Sequence, residues 1–386
     1  MMRILVTVNT YYPMLDGVQA VTDYLTTGLA QRGHQITVVT PMSPGLPTKE
    51  IYKDITIIRV NVYTKYALYH GNRDDYRNLI IKLSKKNDVM INVCTQNALT
   101  DLLFPVLNQI SCKKVLHIHG INDFKWRKSD FMDWKHFAYK IWKNFQWWKL
   151  YQFNETAIKK YDAVLQLHRF DPGYIFFKKK YGIKSYILEN ACDKRLGEIN
   201  GIHKGKYCVC VANYIIRKNQ AFLIKAFYRA KLSSDWKLVL IGSEKNEYYN
   251  ELIELSQKLE EKYGHRDIEL KAGVSREETI DLVKRASIYL LGSTWEAFSI
   301  SIIESMAAAV PFISTNTGIT RFMPGGVVVD TVEGMSYWIE LFAAHEEIRK
   351  YYGNAGHDYY QKHLTTKNKV DELEHILERI ANNQSY

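Results

Sequence analysis

The sequence lacks several features that would place it in a specialised class of protein. No run approaches the roughly 20 apolar residues that a membrane-spanning helix needs, which argues against such a helix. The five cysteines are odd in number, and no second Cys or His pair stands at zinc spacing, so reduced structural thiols are favoured over a metal site. The N-terminus enters strand-like sequence at Arg3, and we therefore expect no signal peptide and a cytoplasmic protein.

The features that are present indicate a basic protein with enough apolar sequence for two packed cores. The chain has 386 residues, of which 46% are hydrophobic, and this length fits two medium domains better than one. Its formal net charge of +11 indicates an anionic partner: a nucleic acid, an acidic membrane surface or a phosphorylated ligand. Charge alone does not choose among these three.

Short β-rich runs, from Arg3–Asn9 to Val327–Asp330, alternate with helical stretches along the whole chain. Strands this apolar, separated by helices, predict parallel sheets covered on both faces. The series restarts after the polar stretch Asp193–Gly205, which we take as a linker between domains 1–195 and 206–366, followed by a closing helix and tail at 367–386. The predicted fold is α/β, with two doubly wound Rossmann-like domains and a ligand in the cleft between them, at the carboxyl ends of their strands.

The segment Trp295–Ala307 is the most informative part of the sequence. Glu296 follows a buried-looking strand, and Glu304 lies about one and a half turns into an apolar helix that starts near Ser299. Free backbone N–H groups at such a helix start, here at Phe298, Ser299 and Ile300, favour a bound anion. Carboxylates accept hydrogen bonds from hydroxyl groups, so the segment predicts a sugar-nucleotide site. The alternative is a loop carboxylate and an ordinary amphipathic-helix carboxylate.

Nearly the whole chain resembles the GT-B glycosyltransferases of glycosyltransferase family 4. The resemblance rests on several motifs in the order that the family shows, in addition to the paired glutamates. They are Tyr12–Gln19, Arg32–Val38, His117–Gly120, Tyr161–Val164, Glu189–Asp193 and Val211–Asn219. The resemblance implies a retaining sugar transfer in which Glu296 holds the hydroxyl groups of the donor sugar and Glu304 holds the ribose.

The resemblance also assigns the residues that would contact the donor diphosphate. Lys218, at the head of a predicted helix Gln220–Arg229, matches the diphosphate-binding lysine of the family. Asn213 stands where the family usually has a second cation, an arginine, and asparagine supplies no charge. Arg217 is the neighbouring residue that could replace that charge.

Three further positions match the family pattern less specifically. Gly17, in the loop after the first strand, would approach the diphosphate or the acceptor, although Asp16 stands where the family often has another glycine. His119 would lie near the donor sugar, and Val274 would line the base pocket. Each also fits a structural role: a turn glycine, a packed histidine or a loop residue.

The retaining mechanism implied by the resemblance needs neither a protein nucleophile nor a metal ion. The leaving phosphate itself would help to take the proton of the acceptor, and no Asp-x-Asp metal motif is present. Lys218 and the helix start could neutralise the charge that a metal would otherwise neutralise. We therefore expect no cofactor and no metal ligand.

Residues 124–151 form an aromatic and basic stretch with five of the eight tryptophans. Its apolar residues recur every three or four positions and trace one helical face. Two interpretations remain: a helix that lies on an anionic membrane surface, or a stripe that packs against the N-terminal sheet. No recognised nucleic-acid-binding fold accompanies the charge, so we expect no nucleic-acid partner. The residues of this face are Phe131, Trp134, Ala138, Ile141, Phe145 and Trp148.

The favoured function is a cytoplasmic retaining glycosyltransferase, associated peripherally with the inner face of the membrane. It would move a hexose-type sugar from a nucleotide donor to a glycan acceptor, lipid-linked, in bacterial surface polysaccharide synthesis. The alternatives are a nucleotide-sugar epimerase, a transferase with a small soluble acceptor, and an inactive sugar-nucleotide-binding assembly subunit, the last motivated by Asn213.

Overall fold

The computed structural model describes residues 1–14, 17–121, 124–126, 128–131 and 133–382. The chain divides into two compact units, one made of residues 1–189 together with residues from 366 on, and the other of residues 190–365. Both units are parallel α/β structures, as the alternation in the sequence predicts.

The secondary structure alternates between strands and helices along the chain. The strands are β1 Arg3–Thr7, β2 Gln35–Pro41, β3 Lys49–Tyr52, β4 Ile55–Val60, β5 Val62–Lys65, β6 Leu68–Gly71, β7 Val89–Val93, β8 Lys113–Ile118, β9 Ala163–Gln166, β10 Ser185–Ile187, β11 Tyr207–Val211, β12 Lys237–Gly242, β13 Asp267–Ala272, β14 Ile288–Leu291, β15 Phe312–Thr315 and β16 Gly326–Val329. The α-helices are α1 Gly17–Gln31, α2 Arg73–Ser84, α3 Ala98–Asp101, α4 Trp134–Phe153, α5 Glu155–Ile158, α6 Pro172–Tyr181, α7 Gln220–Arg229, α8 Glu247–Tyr263, α9 Arg276–Arg285, α10 Ile300–Ala307, α11 Val332–Ala344, α12 Glu346–Tyr359 and α13 Thr366–Ala381.

The first unit is built on an eight-stranded sheet in the order β10-β9-β8-β7-β1-β2-β4-β3. All neighbouring pairs are parallel except β3 with β4. The central strands are apolar on both faces because helices cover both, and all five residues of β7 are buried. The strand order reverses at β1, which pairs with β2 on one side and β7 on the other. The antiparallel hairpin β5–β6 is separate from this sheet.

The second unit is a six-stranded parallel sheet in the order β13-β12-β11-β14-β15-β16. This is the 3-2-1-4-5-6 order of a doubly wound nucleotide-binding fold. The order reverses at β11, between β12 and β14. In such sheets the ligand binds outside the carboxyl ends of the strands at the reversal, and the candidate residues of this unit lie there.

The boundary between the units differs from the linker placed at Asp193–Gly205. Residues 190–205 belong to the second unit, because Leu196 is fully buried and the Lys204 ammonium donates to the carbonyls of Lys284 and Ala308 at 2.7 and 2.9 Å.

The last helix, α13, belongs to the first unit. It packs on α1, where the His34 imidazole lies 2.8 Å from the Glu374 carboxylate. Its Lys369 is 1% exposed and pairs with Glu189 at 3.3 Å. A helix that follows the second domain in the sequence therefore completes the first unit.

Within the described residues, none of the helices combines the length and the apolar character needed to cross a bilayer.

Candidate functional site

The loops that follow β11 and β14 flank the strand reversal of the second unit. The loop after β11 contains a short 3-10 helix, Ile216–Lys218, and Asn219 then takes a left-handed conformation that lets α7 begin at Gln220. The two loops are tied together by a backbone hydrogen bond from the Thr294 N–H to the Arg217 carbonyl, 2.9 Å long. The topology therefore places Lys218 next to Glu296, although the two residues are far apart in the sequence.

Lys218, Arg217 and Glu296 form one charged cluster. The Lys218 ammonium donates to Glu296 Oε1 at 2.6 Å, and Arg217 Nη1 lies 3.4 Å from Glu296 Oε2. The Glu296 side chain is only 10% exposed, so these charges interact more strongly than at an open surface. Arg217 also donates to the Trp295 carbonyl at 2.7 Å. Arg217 is thus held against the β14–α10 loop, beside Lys218.

The start of α10 lies directly after this cluster. Ser299 occupies the N-cap position, but its side chain makes no capping hydrogen bond and instead lies 3.0 Å from the hydroxyl of Ser301. First-turn N–H groups without a side-chain cap are donors for a bound anion. Phe298 and Ser299 are buried and Ile300 is half-buried, so the helix start is fixed in place.

Glu304 is the buried carboxylate of this helix, 5% exposed, and it is held by a cation. Arg276 Nη2, from the first residue of α9, donates to Glu304 Oε1 at 2.6 Å, and Asp193 lies 3.6 Å from the same guanidinium. Burial raises the pKa of Glu304 above the ordinary carboxyl range, against the opposing effect of Arg276. The sequence analysis did not identify Arg276. The signal available was that a buried glutamate requires a cationic partner.

Asn213 and Val274 follow two strands of the same sheet, β11 and β13, between which β12 lies. Asn213 is exposed, and its carbonyl accepts from the side-chain amide of Gln220 at 3.0 Å. Val274 is half-buried and follows Gly273, whose positive φ of +68° turns the chain away from β13. The second unit therefore collects at one sheet edge all of the predicted residues that belong to it.

The β14–α10 loop is held by a glycine that sequence analysis did not single out. A Cβ atom on Gly318, whose φ is +55°, would lie 2.8 Å from the Ala297 carbonyl oxygen and 3.1 Å from that of Glu296. The close approach of the loop after β15 to the backbone of Glu296 requires glycine at this position.

The remaining predicted residues, Gly17 and His119, lie in the first unit. His119 follows the last residue of β8, and its ring centroid is 4.1 Å from that of His117. Burial, followed by the proximity of His119, lowers the pKa of His117 well below the usual imidazole range, so His117 is neutral. Gly17 is the first residue of α1, whereas Asp16 lies outside the described residues.

The aromatic face predicted within residues 124–151 lies on the surface of the first unit. Trp134 is 74% exposed, and Ile141, Phe145 and Trp148 are exposed as well. The opposite face of α4 packs on the unit through Trp147, Leu150 and Tyr151. The exposure contradicts the interpretation that the aromatic stripe packs against the sheet. Arg127 and Met132 of this stretch lie outside the described residues.

A search of the described residues finds no group of three or more His, Cys, Asp or Glu side chains placed to hold a metal ion. The charged groups of the candidate site are instead two cation–carboxylate clusters, Lys218–Arg217–Glu296 and Arg276–Glu304, on either side of the α10 start.

Comparison with protein families matches both units. The model described as Glycosyltransferase Family 4 matches residues 15–167, and the model described as Glycosyl transferases group 1 matches residues 194–335. The second range contains the charged clusters described above. Together the two ranges cover most of the chain.

Comparison with individual proteins gives one distant sequence relative and several solved structures of similar fold. A GDP-Man:Man(3)GlcNAc(2)-PP-Dol alpha-1,2-mannosyltransferase of Mus musculus is 31% identical over 121 residues, which are 30% of this chain and only 25% of that enzyme. A glycosyltransferase structure from Rickettsia africae ESF-5 aligns with a TM-score of 0.76 at 17% identity, over 99% of both chains. Anabaena HepE, solved in complex with UDP and glucose, aligns with a TM-score of 0.67 at 10% identity, over 98% of this chain and 100% of that one.

The structural alignments establish the fold, and the family matches extend over both units. The chain is a glycosyltransferase of the GT-B fold and belongs to glycosyltransferase family 4.

Proposed function

We propose that this glycosyltransferase moves a sugar, with retention of anomeric configuration, from a nucleotide-sugar donor to a lipid-linked glycan in bacterial surface polysaccharide synthesis. The observation that carries the proposal is the Lys218–Glu296 pair, 2.6 Å apart, beside the start of α10, where the Ser299 side chain makes no capping hydrogen bond. This arrangement offers a cation, a carboxylate and backbone donors within one loop. A sugar diphosphate presents the complementary groups.

In the proposed donor complex, the diphosphate binds the first-turn N–H groups of α10 and the Lys218 ammonium. Glu296 then exchanges part of its contact with Lys218 for hydrogen bonds from the sugar hydroxyl groups. Glu304, oriented by Arg276, accepts hydrogen bonds from the ribose. The complex of HepE with UDP and glucose supports a donor of this class.

In the proposed transfer step, the bond between the anomeric carbon and the diphosphate oxygen breaks while the acceptor oxygen bonds to the same face of that carbon. The acceptor proton passes to the departing phosphate oxygen. Lys218 and Arg217 stabilise the negative charge that develops on the diphosphate, which is the role that we propose in place of a metal ion. His119 and Gly17 stay in the proposal on the family resemblance alone.

The lipid-linked acceptor is supported by α4. Its 20 residues carry four lysines and no carboxylate, and its exposed face is aromatic. Such a helix suits the interface of an anionic membrane, from which a lipid-linked acceptor would be reached. The name of the mouse relative, which includes PP-Dol, is consistent with an acceptor of this kind. We propose that the protein binds the inner face of the membrane through this surface.

The donor site is tested with Glu296→Gln. We expect kcat for sugar transfer and for donor hydrolysis to fall about 100-fold, because the carboxylate acts on the reacting sugar. The matched control is Glu269→Gln, which removes a Lys–Glu pair of 2.7 Å between the first residue of β12 and the middle of β13, away from the carboxyl ends of these strands. Unchanged turnover in Glu296→Gln would show that the catalytic assignment is wrong. Donor binding without any turnover in the wild type would favour the inactive subunit suggested by Asn213.

The membrane surface is tested by flotation with vesicles of phosphatidylglycerol or of phosphatidylcholine. We expect binding to the anionic vesicles at low salt and about a tenfold loss of binding in Trp134→Ser/Phe145→Ser, because two exposed rings no longer enter the interface. Tyr337→Ser/Tyr351→Ser removes two exposed rings from the second unit and serves as the control. Equal flotation of the two double variants would remove α4 from the proposal.

A further inference from the structure

The hairpin β5–β6 and helix α4 enclose a groove in the first unit. The hairpin turn contacts the helix directly, since the Trp142 indole N–H donates to the Tyr66 carbonyl at 3.1 Å. The groove has a volume of about 350 Å³. Its apolar lining comes from both elements and consists of Ala67, Leu68, Tyr69, Trp147, Leu150 and Phe153.

The polar part of the lining carries positive but no negative charge. Arg73 and Lys149 line the groove, together with His70, and none of the lining residues is an aspartate or glutamate. Among the residues that the structure describes, neither Arg73 nor Lys149 forms an ion pair, and Asp74, next to Arg73, pairs with Arg77 at 2.9 Å. The Arg73 guanidinium donates to the Tyr69 carbonyl, which holds this cation at the groove wall.

One residue of the groove lining, Trp147, also carries an unsatisfied donor. Trp147 is 4% exposed, and its indole N–H has no hydrogen-bond partner within the described part of the chain. Leaving a buried donor unpaired costs free energy. The combination of an apolar lining with cations that no lining carboxylate compensates is complementary to an amphiphile with an anionic head.

We propose that this groove binds one apolar chain of a phosphate-headed lipid, with Arg73 and Lys149 on the phosphate. The inference rests on the proposed function, because it assigns to the groove the lipid part of the acceptor. It adds a defined binding site to the broad aromatic surface of α4: the surface contacts the membrane, and the groove holds a single lipid molecule. Exposed Trp148 and Phe153 extend the apolar surface of α4 up to the groove.

The test is calorimetric titration of the full-length protein with monomeric alkyl phosphates of increasing chain length. We expect 1:1 binding that tightens about fourfold for each added methylene until the groove is filled. Decanol and inorganic phosphate, the two halves of the ligand, should each bind much more weakly than decyl phosphate. Affinity that does not depend on chain length, or equal affinity for decanol, would overturn the proposal.

Four variants, one of them a control, locate the binding. Lys149→Gln and Arg73→Gln should each weaken decyl phosphate binding about fivefold, whereas Lys135→Gln, on the same helix but outside the groove, should leave it unchanged. Gln146→Trp fills the groove and should abolish the dependence on chain length, and circular dichroism verifies its fold. Undiminished binding in Gln146→Trp would refute the site.

The two proposals fail separately. If the protein binds alkyl phosphates but transfers no sugar to lipid-linked acceptors, the proposed function is contradicted and the groove proposal stands. Intact transfer without alkyl phosphate binding would contradict the groove alone.

Discussion

Glu304 in the second unit and Asp101 in the first are both carboxyl groups buried near the carboxyl ends of the strands, and they are stabilised in different ways. Glu304 in the second unit is 5% exposed and bonds to a guanidinium, that of Arg276, at 2.6 Å. Asp101 in the first unit is 4% exposed and accepts from neutral donors, the Tyr69 hydroxyl and the Gln96 N–H at 3.2 Å. Burial raises the pKa of Asp101 to about 8, whereas Arg276 opposes the same effect at Glu304.

This difference shows how the two units divide the chemistry. The second unit holds cations next to carboxylates at its strand ends. Cations are therefore present where an anionic donor would bind. The first unit presents more aromatic surface: all four exposed tryptophans of the described residues lie in it. We infer that the second unit is specialised for a polar, charged ligand and the first for an amphiphilic one.

The largest expected effect that tests this comparison concerns Asp101. Because its folded pKa of about 8 lies above the unfolded value, the folded state binds the extra proton, and stability falls as pH rises towards 8. The Asp101 contribution predicts a loss of about 4 kcal/mol between pH 5 and pH 8. Asp101→Asn should remove this dependence, as measured by urea unfolding followed by tryptophan fluorescence. Asp75→Asn, at an exposed position, is the control. If the free energy of unfolding has the same pH dependence in Asp101→Asn as in the wild type, Asp101 is charged in the folded state and the prediction is wrong.

A smaller effect is expected at the charge pair of the second unit. Arg276→Met leaves Glu304 buried without a cation and should destabilise this unit by about 2 kcal/mol at pH 8. The loss should be smaller at pH 5, because the pKa of Glu304 is already raised and protonation then removes the buried charge. Urea unfolding at the two pH values measures the difference. The double variant Arg276→Met/Glu304→Gln should recover stability at pH 8, and failure to do so would mean that the pair does not account for the loss.

The smallest effect tests the assignment of α13 to the first unit. A Cβ atom at Gly28 in α1 would lie 2.5 Å from Val370 Cγ2 in α13. Gly28→Ala should therefore lower thermal stability by about 1 kcal/mol through overpacking. Adding Val370→Ala makes room for the methyl group and should restore part of the loss. Independent, additive effects of the two substitutions would argue against the contact.

Most of the sheet framework could be predicted from the sequence, because parallel strands buried on both faces are continuous apolar runs. The predicted runs correspond to the thirteen strands other than β3, β5 and β6. The missed strands all belong to hairpins that turn on two residues with positive φ: Lys53 and Asp54 before β4, Tyr66 and Ala67 before β6. Such turns usually contain asparagine and glycine, so the sequence carried no turn signal.

The charged residues Glu296 and Lys218 could be predicted from the sequence, whereas Arg276, which holds the neighbouring Glu304, could not. Glu296 was recognised from a local pattern and Lys218 from the family resemblance, and the parallel topology brings them together. Arg276 was not recognised, because its contact with Glu304 depends on how helices α9 and α10 pack together, and no local sequence pattern encodes that packing. The exposure of the α4 face could not be decided either, since a periodic aromatic stripe suits a core or an interface equally well. The roles of the site residues in donor binding and transfer stay predictions.

The position of α13 has a consequence for biosynthesis. The face of α1 that carries Gly28, and the neighbouring Arg32 and His34, stays uncovered until residues from 366 on have left the ribosome. The second unit, in contrast, is contiguous in the chain and can fold while synthesis continues. The unit that is translated first is therefore the last to be completed, and nascent chains that stop before α13 expose the α1 surface to chaperones and proteases.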